Sequence, residues 1–203
     1  MIRICETATL DRVALHQQNP PRIYARTQWN RVFKTRIFVK EAIRLCGGHP
    51  ILFEIGCAAL DISGKYSSRA TVIGVDCNTG YIPIVKEKHP DCGFILHDVE
   101  TFVPDKVDIL VMCEILEHIV DPKGLTRRLM PMAKYAVISH PIDDQLSLNE
   151  PRTDHYWSFN GDDFNSWFYD NNYTIVLVRN LMTFRNGGGF HHRLAIGRNN
   201  AKS

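Results

Sequence analysis

Four acidic residues stand at or near the ends of short apolar stretches, where a buried strand would present a side chain to a ligand. Glu54 lies in the first stretch, Asp76 and Asp98 end the second and third, and Glu114 follows the fourth. Ligands of doubly wound sheets bind outside the carboxyl ends of the strands. A carboxylate there accepts charge-assisted hydrogen bonds from a ribose diol or an exocyclic adenine amine. The pattern therefore predicts a site for a ligand that carries ribose and adenine.

The stretches that position these acids are predicted to form a parallel sheet. Residues 51–57, 70–76, 92–98, 107–113 and 135–141 are almost continuously apolar. Such runs are typical of strands that helices cover on both faces. Helical segments alternate with them, which predicts an α/β fold with a Rossmann-like, doubly wound sheet.

The two ends of the chain differ from this alternating middle part. Residues 28–45 have apolar positions at helical spacing, and Gly47 and Gly48 are expected to end that helix. Near the other end, two strand-like runs flank 186–189, which predicts an antiparallel hairpin. We expect a single domain over 1–203, with 1–48 as an N-terminal helical cap.

Composition restricts the class of protein. The chain has 203 residues, 44% of them hydrophobic, and a net charge of +2, which favours neither nucleic acid nor a membrane surface. It contains no run of about 18 apolar residues and no apolar stretch after the first Arg, so we expect a cytoplasmic protein without a signal peptide. The six cysteines form no closely spaced pair, and no metal site is predicted.

Five motifs point to a known family. The stretch EIGCAAL resembles the acidic-x-Gly-x-Gly-x-Gly loop of the class I S-adenosylmethionine-dependent methyltransferases, particularly the UbiE-like small-molecule group. GVDCN resembles the ribose-binding strand of that family, and HDVE resembles its adenine-side motif. CEILEHIVDP and HYWSFNGDDF resemble two later segments. The resemblance implies a seven-stranded sheet whose last strand is antiparallel, and S-adenosyl-L-methionine as the cofactor.

The resemblance also implies which residues contact the cofactor: Glu54, Gly56, Ala58, Asp76, Asn78, Asp98, Val99 and Glu114. Glu54 would support the loop or bind the methionine amino group, Asp76 would hold the ribose hydroxyls, and Asp98 and Val99 would flank the adenine. The sequence departs from the family at Ala58 and Leu60, which stand where the second and third loop glycines are expected. We expect Leu60 to crowd the approach to the cofactor or to require a widened turn.

Two histidines are candidates for the general base. His118 lies in the motif after the fourth strand, and His155 lies in the long connection after the fifth. A histidine with a near-neutral pKa can deprotonate a hydroxyl or amine acceptor while the methyl group moves. The alternative roles are packing against the sheet for His118 and a loop hydrogen bond for His155. His140 is a further candidate on the substrate side.

Several functions fit this pattern. We expect methyl transfer to a small-molecule acceptor. The alternatives are a binding module without turnover, favoured by Ala58 and Leu60, and an RNA methyltransferase, suggested by basic residues along 22–44. A dehydrogenase that uses NAD is disfavoured, because an intact Gly-x-Gly-x-x-Gly is missing. The sequence does not indicate the acceptor atom or the oligomeric state.

Overall fold

The computed structural model describes residues 1–3, 29–142, 155–185 and 188–202. We number the helices and strands in chain order. The strands are β1 (Ile2–Arg3), β2 (Ile51–Ile55), β3 (Thr71–Asp76), β4 (Gly93–Leu96), β5 (Ile109–Cys113), β6 (Tyr135–Ile142), β7 (Trp157–Ser158), β8 (Tyr173–Arg185) and β9 (Gly188–Asn199). The helices are α1 (Trp29–Cys46), α2 (Tyr81–Lys88), α3 (Pro122–Leu129) and α4 (Gly161–Tyr169).

Seven strands form one sheet, in the order β4-β3-β2-β5-β6-β9-β8. The first five strands in this order, β4, β3, β2, β5 and β6, are parallel to one another. Strand β9 runs antiparallel to both of its neighbours, β6 and β8. Every residue of β5 is buried, as expected for a central strand covered on both faces. The predicted α/β fold, with its doubly wound sheet and antiparallel C-terminal hairpin, is confirmed.

Local sequence signals set the starts of two helices. The Asp121 carboxylate accepts a hydrogen bond of 2.9 Å from the Gly124 amide at the start of α3, and Pro122 occupies the first helical position. Asn160 and Asp163 form a reciprocal capping box at the start of α4. Both starts are determined locally, because each cap involves residues no more than three positions apart.

Helix α1 covers one face of the sheet with a narrower apolar stripe than the sequence suggests. Val32, Val39 and Ala42 are buried in the core beneath it. Ile37, which the spacing grouped with the apolar face, is 48% exposed. Of the predicted helical cap over 1–48, residues 4–28 lie outside the described part. Residues 1–3 contribute strand β1, which pairs with β7 and was not predicted.

Two further findings concern the cysteine thiols and the lengths of the described helices. Cys46, Cys57, Cys77, Cys92 and Cys113 are free thiols, and Cys5 lies outside the described residues. Within the described ranges, no helix is both long enough and apolar enough to cross a bilayer.

Candidate functional site

The loop after β2 turns sharply through three residues with left-handed backbone. Gly56, Ala58 and Leu60 have φ angles of +67°, +46° and +57°. A Cβ on Gly56 would lie 2.5 Å from the Ile115 side chain, so this position needs glycine for space as well as conformation. Ala58 and Leu60 adopt the left-handed conformation that glycine would favour. The loop thus keeps the shape of a glycine-rich turn with one glycine.

Leu60 does not crowd the loop, contrary to the expectation from sequence. Its side chain is fully buried in the cluster between the sheet and α1. Leu60 Cδ1 would lie 2.9 Å from a Cβ on Gly74, which shows that leucine packs under the loop against β3. The missing third glycine is therefore replaced by a residue that contributes to the core.

Asp76 connects this loop with the end of β3. Its Oδ2 accepts a hydrogen bond of 2.9 Å from the Ala58 amide, and its Oδ1 accepts one of 2.9 Å from the Asn78 amide. The Asn78 side chain in turn accepts a bond from the Gly80 amide. Each carboxylate oxygen has two lone pairs, so Asp76 keeps acceptor capacity for two hydroxyl groups. This donor and acceptor set fits a ribose diol.

Glu54 lies beneath the loop, not on its outer side. Its Oε2 accepts a hydrogen bond of 2.9 Å from the Ser63 amide, and the residue is buried. Burial raises the pKa of Glu54 to about 7, although the bonds from Ser63 oppose the rise. Of the two roles that the resemblance implied, support of the turn fits this position.

The segment after β4 runs alongside the segment after β5. Asp98 accepts a hydrogen bond of 3.0 Å from the Glu100 amide, and Val99 is buried in the core. Glu100 Oε1 accepts a bond of 2.7 Å from the Val120 amide and so joins the two segments. Asp76 and Asp98 thus follow neighbouring parallel strands at one edge of the sheet.

Glu114 has partners that the sequence did not reveal. It follows β5 with a φ of +56°, and its carboxylate forms an ion pair with Arg31 of α1. The Ser139 hydroxyl donates to Oε1 at 2.9 Å, and His192 Nδ1 lies 3.1 Å from Oε2. Burial alone would raise the pKa of Glu114, but Arg31 and His192 hold it well below its usual range.

These contacts give Glu114 a structural role beside the cofactor-side role that the resemblance implies. Its carboxylate anchors α1 to the sheet. Sequence analysis missed Arg31 and His192 as partners. The only signal for Arg31 was a basic residue on an amphipathic helix, and such residues usually face solvent.

His118 and His155 lie together, as a shared substrate-side role requires. Their ring centroids are 4.7 Å apart with an interplanar angle of 83°. His118 ends a short 3₁₀ helix over Leu116–His118, directly after β5. The Tyr156 amide donates to the Glu117 carbonyl at 2.8 Å, and the Trp157 indole donates to the Ile119 carbonyl at 2.8 Å. These two bonds hold the end of the long connection against the 3₁₀ helix.

Glu117 lies close to both histidines. Its carboxylate is buried. One ligating atom from each of Glu117, His118 and His155 lies within 4.8 Å of the others. Burial, together with the nearby Glu114 carboxylate, raises the pKa of Glu117 to about 8. The sequence placed Glu117 beside His118 but gave no sign that His155 would join them.

His140, the third candidate for the general base, is buried among core residues. Both ring nitrogens have partners: Nδ1 lies 2.8 Å from the Pro141 carbonyl, and the Trp167 indole donates to Nε2 at 3.0 Å. Burial lowers the pKa of His140 to about 4, so the ring is neutral at physiological pH. It packs against Phe159 and Phe164 in the core, which excludes it as a substrate-side base.

The central part of the chain matches a known family model. Residues 53–134 match the model described as "Methyltransferase domain", a range that contains the loop, Asp76, Asp98 and Glu117. This match covers about two fifths of the chain and is consistent with the resemblance to the class I S-adenosylmethionine-dependent methyltransferases that the sequence motifs carry.

Solved structures of methyltransferases share the fold. N-methyltransferase NodS from Bradyrhizobium japonicum, with bound S-adenosylhomocysteine, has a TM-score of 0.70 at 14% identity and covers 95% of this chain and 99% of its own. Magnesium protoporphyrin IX methyltransferase from Synechocystis, with the same ligand, has a TM-score of 0.65 at 15% identity, and 95% of each chain is covered. No curated protein matches this chain by sequence.

Proposed function

We propose that this protein is a methyltransferase that transfers the methyl group of S-adenosyl-L-methionine to a small-molecule acceptor. The observation that carries the proposal is the buried Asp76 carboxylate beside the left-handed loop of Gly56 and Ala58. The acceptor class is supported by the magnesium protoporphyrin IX methyltransferase, whose name gives a small molecule as its acceptor.

The cofactor would lie across the carboxyl ends of β2, β3 and β4. Asp76 would accept the ribose hydroxyls, with Asn78 close to the ribose, and Gly56 and Ala58 would let the backbone approach the cofactor closely. Asp98 and Val99 would flank the adenine. Glu54 would act from below, because its carboxylate holds the Ser63 end of the same loop. Glu114 would contribute to the site indirectly, because its ion pair with Arg31 anchors α1 to the sheet.

His118 and His155 would face the acceptor. The sulfonium methyl group is already a strong electrophile, so the protein mainly has to hold the acceptor in line with the carbon–sulfur bond. A neutral imidazole can take the proton that the acceptor oxygen or nitrogen loses. The 4.7 Å separation of the two rings supports a shared role.

Two alternatives from the sequence lose support. A binding module without turnover was favoured by Ala58 and Leu60, yet both keep the left-handed geometry of the loop. An RNA substrate was suggested by the basic residues of 22–44. Within the described part of that stretch, Arg31 pairs with Glu114, and Arg36 donates to the Asp61 carbonyl at 2.8 Å. These two guanidinium groups bond within the protein, whereas Lys34 and Lys40 of the same stretch are exposed and remain the basis of the RNA alternative.

The direct experiment is a transfer assay with S-adenosylmethionine that carries a labelled methyl group. The purified protein is incubated with a panel of small hydroxyl and amine acceptors, and S-adenosylhomocysteine and labelled product are measured by mass spectrometry. We expect labelled product with at least one acceptor and none with the Asp76→Ala variant. Cofactor binding without product from any acceptor class, RNA included, would favour the binding module instead.

A further inference from the structure

The cluster of Glu117, His118 and His155 has the composition of a metal site. Two imidazoles and one carboxylate meet within 4.8 Å, and each offers one ligand atom. Imidazole nitrogen together with a carboxylate is a ligand set that zinc, cobalt and other divalent transition metals accept. Magnesium and calcium prefer oxygen ligands alone.

A second observation points to a ligand at this place. Glu117 is 1% exposed, and its Oε2 has no hydrogen-bond partner among the described residues. The other oxygen, Oε1, lies 4.0 Å from His118 Nε2, which is too far for a hydrogen bond. A buried carboxylate oxygen without a partner costs free energy, and a bound cation would remove that cost.

The geometry is close to that of a bound site. In a tetrahedral zinc site with bonds of about 2.1 Å, the ligand atoms are roughly 3.4 Å apart. The present separations are at most 4.8 Å, so the ligand atoms would have to approach one another by up to about 1.4 Å, which the two half-buried histidine side chains would do by rotating. The hydrogen bonds of Tyr156 and Trp157 already fix the backbone of the two contributing segments, so binding requires no rearrangement of the fold.

We propose that Glu117, His118 and His155 form a binding site for a divalent transition-metal ion, with an open coordination position for a hydroxyl-bearing acceptor. Three protein ligands and one open position are typical of catalytic metal sites. The cluster lies next to the cofactor loop, because Ile115 on the same segment contacts Gly56. The metal site itself stands on the geometry, whereas its role toward the acceptor rests on the proposed function.

That role follows from ordinary metal chemistry. A hydroxyl group coordinated at the open position has a lowered pKa and releases its proton to water. Its oxygen then supplies the electron pair for the new carbon–oxygen bond. The carbon–sulfur bond of the sulfonium breaks at the same time, and its electron pair stays on sulfur to give the neutral thioether. With the metal bound, His118 and His155 act as its ligands, so water takes the proton in place of the imidazole base described above.

The test is a calorimetric titration of tag-free, metal-stripped protein with Zn²⁺ alone, followed by Co²⁺ with visible absorption as the readout. We expect one Zn²⁺ per chain with a micromolar or tighter Kd, and absorption bands of Co²⁺ with nitrogen and oxygen ligands. The His155→Ala and Glu117→Gln variants should each bind at least tenfold more weakly. The matched control is His49→Ala, which removes an exposed imidazole before β2, at the opposite end of the strands.

Folding and cofactor binding are measured on the same samples, so that two failures can be told apart. Circular dichroism and S-adenosylhomocysteine affinity should be unchanged in Glu117→Gln. No Zn²⁺ binding by the wild type, or equal Zn²⁺ binding by wild type and both cluster variants, would overturn the metal site and leave the proposed function intact. Tight Zn²⁺ binding with no S-adenosylhomocysteine binding would support the site and contradict the proposed function.

Discussion

Gly56 and Ala58 both have a left-handed backbone. The Cβ of Ala58 is already accommodated, whereas a Cβ added to Gly56 would meet the Ile115 side chain. Gly56→Ala would place a methyl group against Ile115 and add the left-handed penalty of about 1–2 kcal/mol. We expect its free energy of unfolding to fall by roughly 2 kcal/mol or more in urea titrations. Ala58→Gly relieves the same penalty, so its stability should change by less than about 1 kcal/mol. An equal loss in both variants would contradict this view of the loop.

At the same scale, the sequence located the residues but not their partners. The strand-end acids could be predicted because side-chain type and strand period are local properties. The partners of Glu54 and Glu114 could not, because Ser63, Arg31 and His192 come near them only through tertiary packing. Leu60 was misjudged for a related reason: nothing in the sequence tells on which side of a loop a side chain packs.

Helix α1 depends on one buried ion pair for its position over the sheet. Arg31→Ala would leave the Glu114 carboxylate, only 11% exposed, without its main cationic partner, and breaking a buried pair in this way typically costs about 3–5 kcal/mol. We expect a correspondingly lower midpoint in urea unfolding. Lys34→Ala, an exposed position on the same helix, is the matched control and should change stability by less than about 0.5 kcal/mol.

A double variant separates the ion pair from general helix packing. In Arg31→Met with Glu114→Gln the buried charge is absent, so much of the stability lost in Arg31→Ala should return. A double variant as unstable as Arg31→Ala would show that the Arg31 side chain acts through packing alone.

The positions of strands and helices along the chain were easier to predict than the contacts between them. The positions of the central strands, the N-terminal helix and the hairpin follow from periodicity and turn residues, and the structure confirms them. The β1–β7 pairing and the approach of His155 to His118 involve residues far apart in sequence. No local pattern specifies such contacts.

For the whole molecule, two buried groups set opposite limits on stability as pH changes. The raised pKa of Glu54, from its usual value near 4.5 to about 7, means that the folded state binds more protons in that window. Stability therefore falls as pH rises from about 4.5 to 7. The pKa of His140 is lowered to about 4, so the unfolded state binds more protons below pH 6.5 and stability falls as pH decreases.

Glu54→Gln should remove the part of the loss at rising pH that Glu54 causes, whereas the part caused by Glu117, whose pKa is raised to about 8, should remain. At pH 8 we expect it to exceed the wild type by about 2–3 kcal/mol in urea unfolding, whereas near pH 5 the two should be similar. Glu87→Gln, an exposed carboxylate on α2, serves as the control and should follow the wild type at both pH values. A Glu54→Gln variant that loses as much stability as the wild type between pH 5 and 8 would contradict the assignment.

The most direct test of the central claim is a calorimetric titration of S-adenosylhomocysteine into wild type, Asp76→Asn and Asp105→Asn, with NAD as the competing ligand. Asp105 is an exposed acid before β5 and serves as the matched control. We predict micromolar binding by the wild type and Asp105→Asn, no binding of NAD, and at least about tenfold weaker binding by Asp76→Asn, which loses a charge-assisted bond to ribose. Unchanged affinity in a folded Asp76→Asn variant would contradict the placement of the cofactor at the end of β3.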